Sequence, residues 1–258
     1  MKTSLIIQAR MGSSRLPGKV LKPLQGKPML EWVARRGLRA DMVDEVVVAT
    51  TVAPEDEAIA LWCDQAGIPC VRGSVFDVLD RFYQTALARS SDRIVRVTAD
   101  CPLIDPGILD DTIRLFKETD SDFSANRLPP PWHRTFPIGL DVEVVSFKML
   151  ERAWQEADQD YEREHVMPWF YNTEGRCKVS ILDHNPDYGM HRWTVDTPDD
   201  YALLQEIFHR LPDPLHASWL DVLALVSENP ELERINESTH AKQVNAVDER
   251  IQKKADPQ

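Results

Sequence analysis

Along the first hundred residues, short apolar runs alternate with longer stretches in which apolar positions recur three and four apart. Thr3 to Gln8 (TSLIIQ) is almost wholly apolar, as expected of a strand buried on both faces. Met29 to Arg39 has helical spacing, Glu45 to Thr50 (EVVVAT) is a second strand, and Glu55 to Ala66 is a helix bounded by Pro54 and Gly67. Cys70 to Arg72 predicts a short third strand, Val75 to Ser90 a helix, Arg93 to Thr98 (RIVRVT) a strand and Asp105 to Glu118 a further helix. This alternation predicts βαβ units, hence an α/β, Rossmann-like fold with a mostly parallel sheet and helices on both faces.

The texture changes at Asn126 to Pro137 (NRLPPPWHRTFP), where four prolines in a dozen residues exclude regular helix or central strand. Residues 126–138 are therefore expected to form a small inserted arm. Gly139 to Ser146 (GLDVEVVS) alternates like a half-buried strand, Phe147 to Ala157 reads as a helix and Lys178 to Leu182 as a strand. Thr194 to Asp196 ends a further β-like run, and Pro198 opens a helix through Arg210. The chain then grows polar, which predicts a single domain over residues 1–230 and a loosely held tail over 231–258.

With 258 residues, 43% of them hydrophobic, the chain can bury a core without disulfides or metals. Its four cysteines show neither C-x-x-C pairing nor zinc-ligand spacing, so reduced thiols are expected. No run approaches the ~20 apolar residues of a membrane span, and Ser4 to Gln8 is too short for a signal-peptide core, which gives a cytoplasmic expectation. A net charge of −12 argues against binding nucleic acid or an anionic membrane. One stretch breaks that balance: Arg10 to Arg39 holds eight basic residues and one acid, a local +7 that leaves −19 for the rest.

That stretch begins with Ala9 to Lys19 (ARMGSSRLPGK), directly after the first strand. Small residues at Gly12, Ser13, Ser14 and Gly18 let backbone N–H groups approach an anion, and Arg10, Arg15 and Lys19 put three cations at a strand's carboxyl end. The combination suits a triphosphate and a departing pyrophosphate; the other reading is a solvated basic turn. Neither a G-x-x-x-x-G-K-[ST] nor a G-x-G-x-x-G motif occurs. Asp100 closes the Arg93 to Thr98 strand, and Asp196 sits in a similar turn before Pro198, where it fits a metal ligand or a helix cap. Asp141 and Glu143, two apart on an alternating strand, share a face that binds sugar hydroxyls, assists a metal or is simply solvated.

The loop resembles that of the cytidylyltransferases activating acidic sugars, the CMP-sialic acid and CMP-KDO synthetases, whose pattern is A-R-G-G-S-K-R-L-P-G-K-N. Met11, Ser14 and Val20 depart from it. It is still more similar to the SpsF-like branch (A-R-M-G-S-[ST]-R-L-P-G-K), associated with spore-coat and surface polysaccharide synthesis. Further blocks of that branch stand at Val97 to Asp105, Gly139 to Val144, Arg163 to Val166 and Trp193 to Asp200. The resemblance implies a GT-A-like nucleotidyltransferase fold and an enzyme moving CMP from CTP to a small acceptor. It implies Mg²⁺ held by Asp100 and Asp196, cytosine near Thr50, Asp56 and Arg72, and an acceptor pocket lined by Arg163, Glu164 and His165; Asp141 and Glu143 are further acceptor candidates from their shared face, and His165 is a candidate general base. Ile138 stands where the branch carries Asp. A homodimer with an exchanged arm, involving Trp132 and Phe136, is also implied. Two other readings compete: a GT-A-type glycosyltransferase, which would need the D-x-D motif absent after the Arg93 to Thr98 strand, and a nucleotide-binding protein without catalysis.

Overall fold

The computed structural model describes residues 1–129 and 133–239. In the first half β1 (Thr3–Gln8) precedes a small ribbon of β2 (Pro23–Leu24) and β3 (Lys27–Pro28), then α1 (Met29–Gly37), β4 (Glu45–Thr51) and α2 (Glu57–Ala66). β5 (Cys70–Gly73), α3 (Val78–Ala88), β6 (Arg93–Thr98) and α4 (Pro106–Thr119) follow. The second half adds β7 (Phe123–Ala125), β8 (Glu143–Ser146), α5 (Phe147–Glu156), α6 (Asp160–His165), α7 (Pro168–Tyr171), β9 (Val179–Ile181), α8 (Pro198–Arg210) and α9 (Trp219–Glu228).

Seven strands form one sheet in the order β5-β4-β1-β6-β8-β7-β9, and β8 alone of these runs antiparallel to its neighbours. Strand alternation divides the core: Leu5 and Ile7 of β1 face a layer under α1, α2, α4, α8 and α9, whereas Ile6 faces one under α3, α5 and α7. β1 pairs with β4 on one side and β6 on the other, so the loops leaving β1 and β6 diverge at a switch point at the sheet's carboxyl edge.

The observed elements depart from the sequence expectation where a local rule meets a tertiary one. The alternation over Gly139 to Ser146 yields a strand only from Glu143, because Gly139 turns the chain with φ of +108°. A Cβ there would stand 2.7 Å from backbone atoms of Trp193 and Thr194, so only glycine admits this close approach. Thr194 to Asp196 forms no strand; one bridge joins Ile138 to Arg192, and the N–H of Val195 donates to the Asp100 carbonyl at 2.9 Å. The packed body runs past residue 230, since Leu232 is buried and Asn236 donates to Asp200 at 2.9 Å. Of the tail, residues 240–258 lie outside the described residues, as does Trp132 of the arm. Phe136 is buried against Trp219, a core contact.

Arg36, counted above in the basic stretch, is fully buried in α1. Its guanidinium donates to the carbonyls of Ile104 (2.7 Å), Pro214 (2.6 Å) and Ala217 (2.9 Å), tying α1 to the segments before α4 and α9. Replacing Arg36 by Met leaves these buried carbonyls without donors. Arg36→Met should therefore lower unfolding stability by about 3 kcal/mol or more in chemical denaturation. A loss below about 1 kcal/mol, the value of a single ordinary hydrogen bond, would contradict this account.

Candidate active site

The basic loop is anchored at both ends before any ligand is considered. The N–H of Met11 donates to Asp56 Oδ1 at 2.6 Å, and the Thr51 hydroxyl donates to the other oxygen of Asp56. The N–H of Gly18 donates to the Met11 carbonyl at 2.9 Å and closes the loop. Gly18 has φ of +68°, which opens a 3₁₀ turn over Lys19–Leu21 and turns Lys19 inward.

Lys19 is 8% exposed, and each of its ammonium donors finds an acceptor: Asp100 Oδ2 at 2.7 Å, the Val195 carbonyl at 2.7 Å and Asp196 Oδ1 at 2.9 Å. Burial works against its charge, but the two carboxylates outweigh burial and raise the ammonium's pKa above its ordinary value. Asp196 also meets Arg15 at 3.0 Å and Arg192 at 2.8 Å. Burial would raise the Asp196 carboxyl, but Lys19, Arg15 and Arg192 hold it down at about 2. The cap reading of Asp196 fails, because Thr197 caps α8 in a reciprocal pair with Asp200. Asp100 accepts from the Thr98 hydroxyl at 2.5 Å.

Arg15, Lys19, Thr98, Asp100 and Asp196 line a cavity of about 220 Å³ at the carboxyl edge of β1 and β6, with Arg10, Gly12, Ser13 and Ser14 along its loop side. A smaller cavity of about 130 Å³ shares Gln8 and Arg10 with it and is lined by Arg81, Arg96, Glu164 and His165. The predicted phosphate loop and the two strand-end acids thus line one cavity, and two of the predicted acceptor residues line another that has Gln8 and Arg10 in common with it.

Other predicted residues stand outside it. Thr50 is buried within β4, and Asp56 holds the loop from below. Arg72 donates to the carbonyls of Thr51 (3.0 Å) and Ala53 (3.2 Å) and pairs with Glu57, bracing the turn after β4. Arg163 is committed to Asp77, at 2.6 Å and 2.8 Å, and to the Trp154 carbonyl. Arg127 bridges Asp141 and Glu143, so the two do share a side, but Arg134 also holds Asp141 and Arg96 holds Glu143. Neither acid lines the two cavities. Sequence reasoning missed Gln8, Arg81, Arg96 and Arg192; for Arg96 and Arg81 a charged residue inside the apolar pattern of β6 or α3 was the available signal.

The two carboxylates converge on the Lys19 ammonium, at 2.7 and 2.9 Å, and carboxylate oxygen is the hard donor that Mg²⁺ takes when substrate phosphates complete its shell. Among the described residues there is no cluster of three or more metal-ligating side chains. No helix of the described residues is long and apolar enough to cross a membrane.

Comparisons with known proteins bear on this site. The chain is 34% identical to an uncharacterised protein of Methanocaldococcus jannaschii, over 96% of this chain and all of the relative. It is 30% identical to the spore coat polysaccharide biosynthesis protein SpsF of Bacillus subtilis, over 88% of this chain and 94% of the relative. Among solved structures, a cytidylyltransferase from Leptospira borgpetersenii superposes with a TM-score of 0.85 and 31% identity, covering 94% of this chain and 100% of that one. The family profile described as cytidylyltransferase matches residues 4–237, a span that takes in the loop, both acids and Asn236, and on this evidence the chain belongs to the cytidylyltransferase family.

Proposed function

We propose that the protein transfers CMP from CTP to a hydroxyl of a small acidic-sugar-type acceptor in the synthesis of surface glycan precursors. The observation that carries this reading is the Lys19 ammonium, which joins the basic loop to Asp100 and Asp196 inside the larger cavity. Four free cysteines accord with a reducing, cytoplasmic setting.

In this reading Arg10, Arg15 and the N–H groups of Gly12 to Ser14 bind the triphosphate, and Lys19, whose three donors are held by Asp100, Asp196 and the Val195 carbonyl, adds its charge beside it. Asp100 and Asp196 would hold Mg²⁺, which when bound neutralises phosphate charge and polarises the α-phosphate. The acceptor oxygen forms a bond to the α-phosphorus while the bond to the bridging α–β oxygen breaks, and pyrophosphate leaves with that electron pair. Lys19 and Arg15 stabilise the charge developing on it. His165, on the acceptor side, takes the hydroxyl proton. Both acids must be ionised for this chemistry, and the cations around Asp196 keep it so far below neutral pH.

A thermal-shift panel of the four nucleoside triphosphates, with and without Mg²⁺, tests the donor. CTP with Mg²⁺ should stabilise most, by roughly 2.7 kcal/mol at a hundred times its dissociation constant. A larger effect from ATP, GTP or UTP would refute the cytidine assignment.

Lys19→Ala and Asp100→Asn should each lower pyrophosphate release from CTP by about 10²-fold or more. Retention of most activity by either variant would remove that residue from the chemistry.

The depressed Asp196 carboxyl stabilises the fold above its unfolded value of 3.8, and that contribution is lost as pH falls toward about 2. The raised Lys19 ammonium contributes below its unfolded value of 10.5 and is lost only as pH rises beyond it. Wild type should therefore melt above Asp196→Asn at pH ~7, with the gap shrinking as pH falls through ~4 toward ~2. A gap constant over that range would contradict the network's ionisation.

A further inference from the structure

After α9 the chain packs a short 3₁₀ turn, Glu233–Asn236, against the segment that carries Asp196. The Glu233 carboxylate meets His191 Nδ1 at 2.6 Å. The side-chain amide of Asn236 donates to the Arg192 carbonyl at 3.2 Å and to Asp200 Oδ1 at 2.9 Å. The hydroxyls of Thr239 and Thr197 meet at 3.3 Å. These contacts fall on both sides of Asp196 in the chain, and Asn236 is 5% exposed, so water does not readily replace its donors.

Asp200, on which the amide of Asn236 closes, is fully buried and receives donors on both oxygens. Arg192 Nε and Asn236 share Oδ1; Arg192 Nη2 at 3.2 Å and the N–H groups of Asp196 (2.9 Å) and Thr197 (3.0 Å) share Oδ2. Asp200 therefore grips Asp196 twice. One hold is direct, on the backbone; the other runs through Arg192 Nη2, which also donates to Asp196 Oδ2 at 2.8 Å. A guanidinium is a rigid fork, so where it lies sets the direction of both carboxylates it serves. Asn236 fixes that fork at both ends, by the backbone carbonyl of Arg192 and by the carboxylate that Nε meets. With the amide gone, Asp200 Oδ1 has Arg192 alone, and the fork is free to redistribute between Asp200 and Asp196. Asn236 itself lines neither cavity of the site, so any influence on the chemistry passes through these neighbours.

We propose that Asn236 is a positioning residue for Asp196: through Asp200 and Arg192 it sets the carboxylate on which the divalent cation accompanying the triphosphate depends. This rests on the CMP-transfer reading for the part given to Asp196. Outer partners of this kind alter metal affinity without touching the metal.

Mn²⁺ binding to the full chain in the presence of CTP, read by electron paramagnetic resonance, is the test, with CTP binding in EDTA as the second readout. In Asn236→Ala and Asn236→Ser, Mn²⁺ should bind about tenfold or more weakly, while metal-free CTP binding, which the loop provides, is unchanged. A merely structural role would lower the folded fraction and weaken both readouts together. Asp200→Asn should reproduce the defect, and combined with Asn236→Ala it should add less than the product of the two, because both act on the same hold over Arg192. Unchanged Mn²⁺ affinity in the two Asn236 variants, equal weakening of both readouts, or fully multiplicative effects would each overturn the role. If Asp196→Asn leaves Mn²⁺ binding intact, the role and the metal reading of Asp196 fall together. If Mn²⁺ binds with ATP, GTP or UTP as tightly as with CTP and the Asn236 defect persists, the positioning role stands and the cytidine assignment falls.

Discussion

The contact on which the rest depends is the buried Lys19 ammonium, shared by Asp100, Asp196 and the Val195 carbonyl. An ammonium has three donors and no acceptor, so three acceptors complete it, and burial leaves no water to replace one that is lost. The loop after β1 is thereby held to segments 81 and 177 residues away. From Asp196 the constraint passes to Arg192, from Arg192 to the fully buried Asp200, and from Asp200 to the first turn of α8 and to Asn236. A polar stretch near the chain's end is thus part of the same network as its first loop.

Charge, read as a running sum, describes this network only in outline. The +7 stretch from Arg10 to Arg39 holds groups with three different tasks. Arg10, Arg15 and Lys19 line the larger cavity. Lys27 and Arg35 pair with Glu31, and Lys22 lies over the Tyr201 ring. Arg36 and Arg39 donate to carbonyls of the 214–217 segment, Arg36 from deep in the core. The sequence shows how many charges there are; whether each meets a ligand, an acid or a carbonyl depends on tertiary neighbours that no local pattern specifies.

The same distinction separates what was legible from what was not. β1, β4 and β6 were readable because a strand buried on both faces must be apolar throughout, and α8 because Pro198 marks its start. β7 was not, since three residues are too few to show a period, and its place is fixed by pairing with β8 and β9. In the site, the loop and Asp100 stood at strand ends, where backbone direction alone aims them at the sheet's edge. Arg72 and Arg163 had the right residue type in the right blocks, but a guanidinium is as well suited to bracing carbonyls and an aspartate as to binding substrate, and here it does the former. Arg96 and Arg81 were hidden for the opposite reason: each interrupts an apolar pattern, a signal of buried charge that does not say what the charge serves.

Two cavities joined at Arg10 and Gln8 also constrain how two anionic reactants would meet. At an effective dielectric of ~20, unit charges ~6 Å apart repel by roughly 3 kcal/mol, enough to slow the approach of an acidic acceptor to a triphosphate by about a hundredfold. Cations at the far ends of both spaces bind the reactants without relieving that repulsion, whereas a cation between them is attracted to both. Arg10 lines both cavities, with Lys19 in the wall of one and Arg81 in the wall of the other. In the proposed reading, a cation at that junction is attracted to both reactants and lowers the repulsion between them.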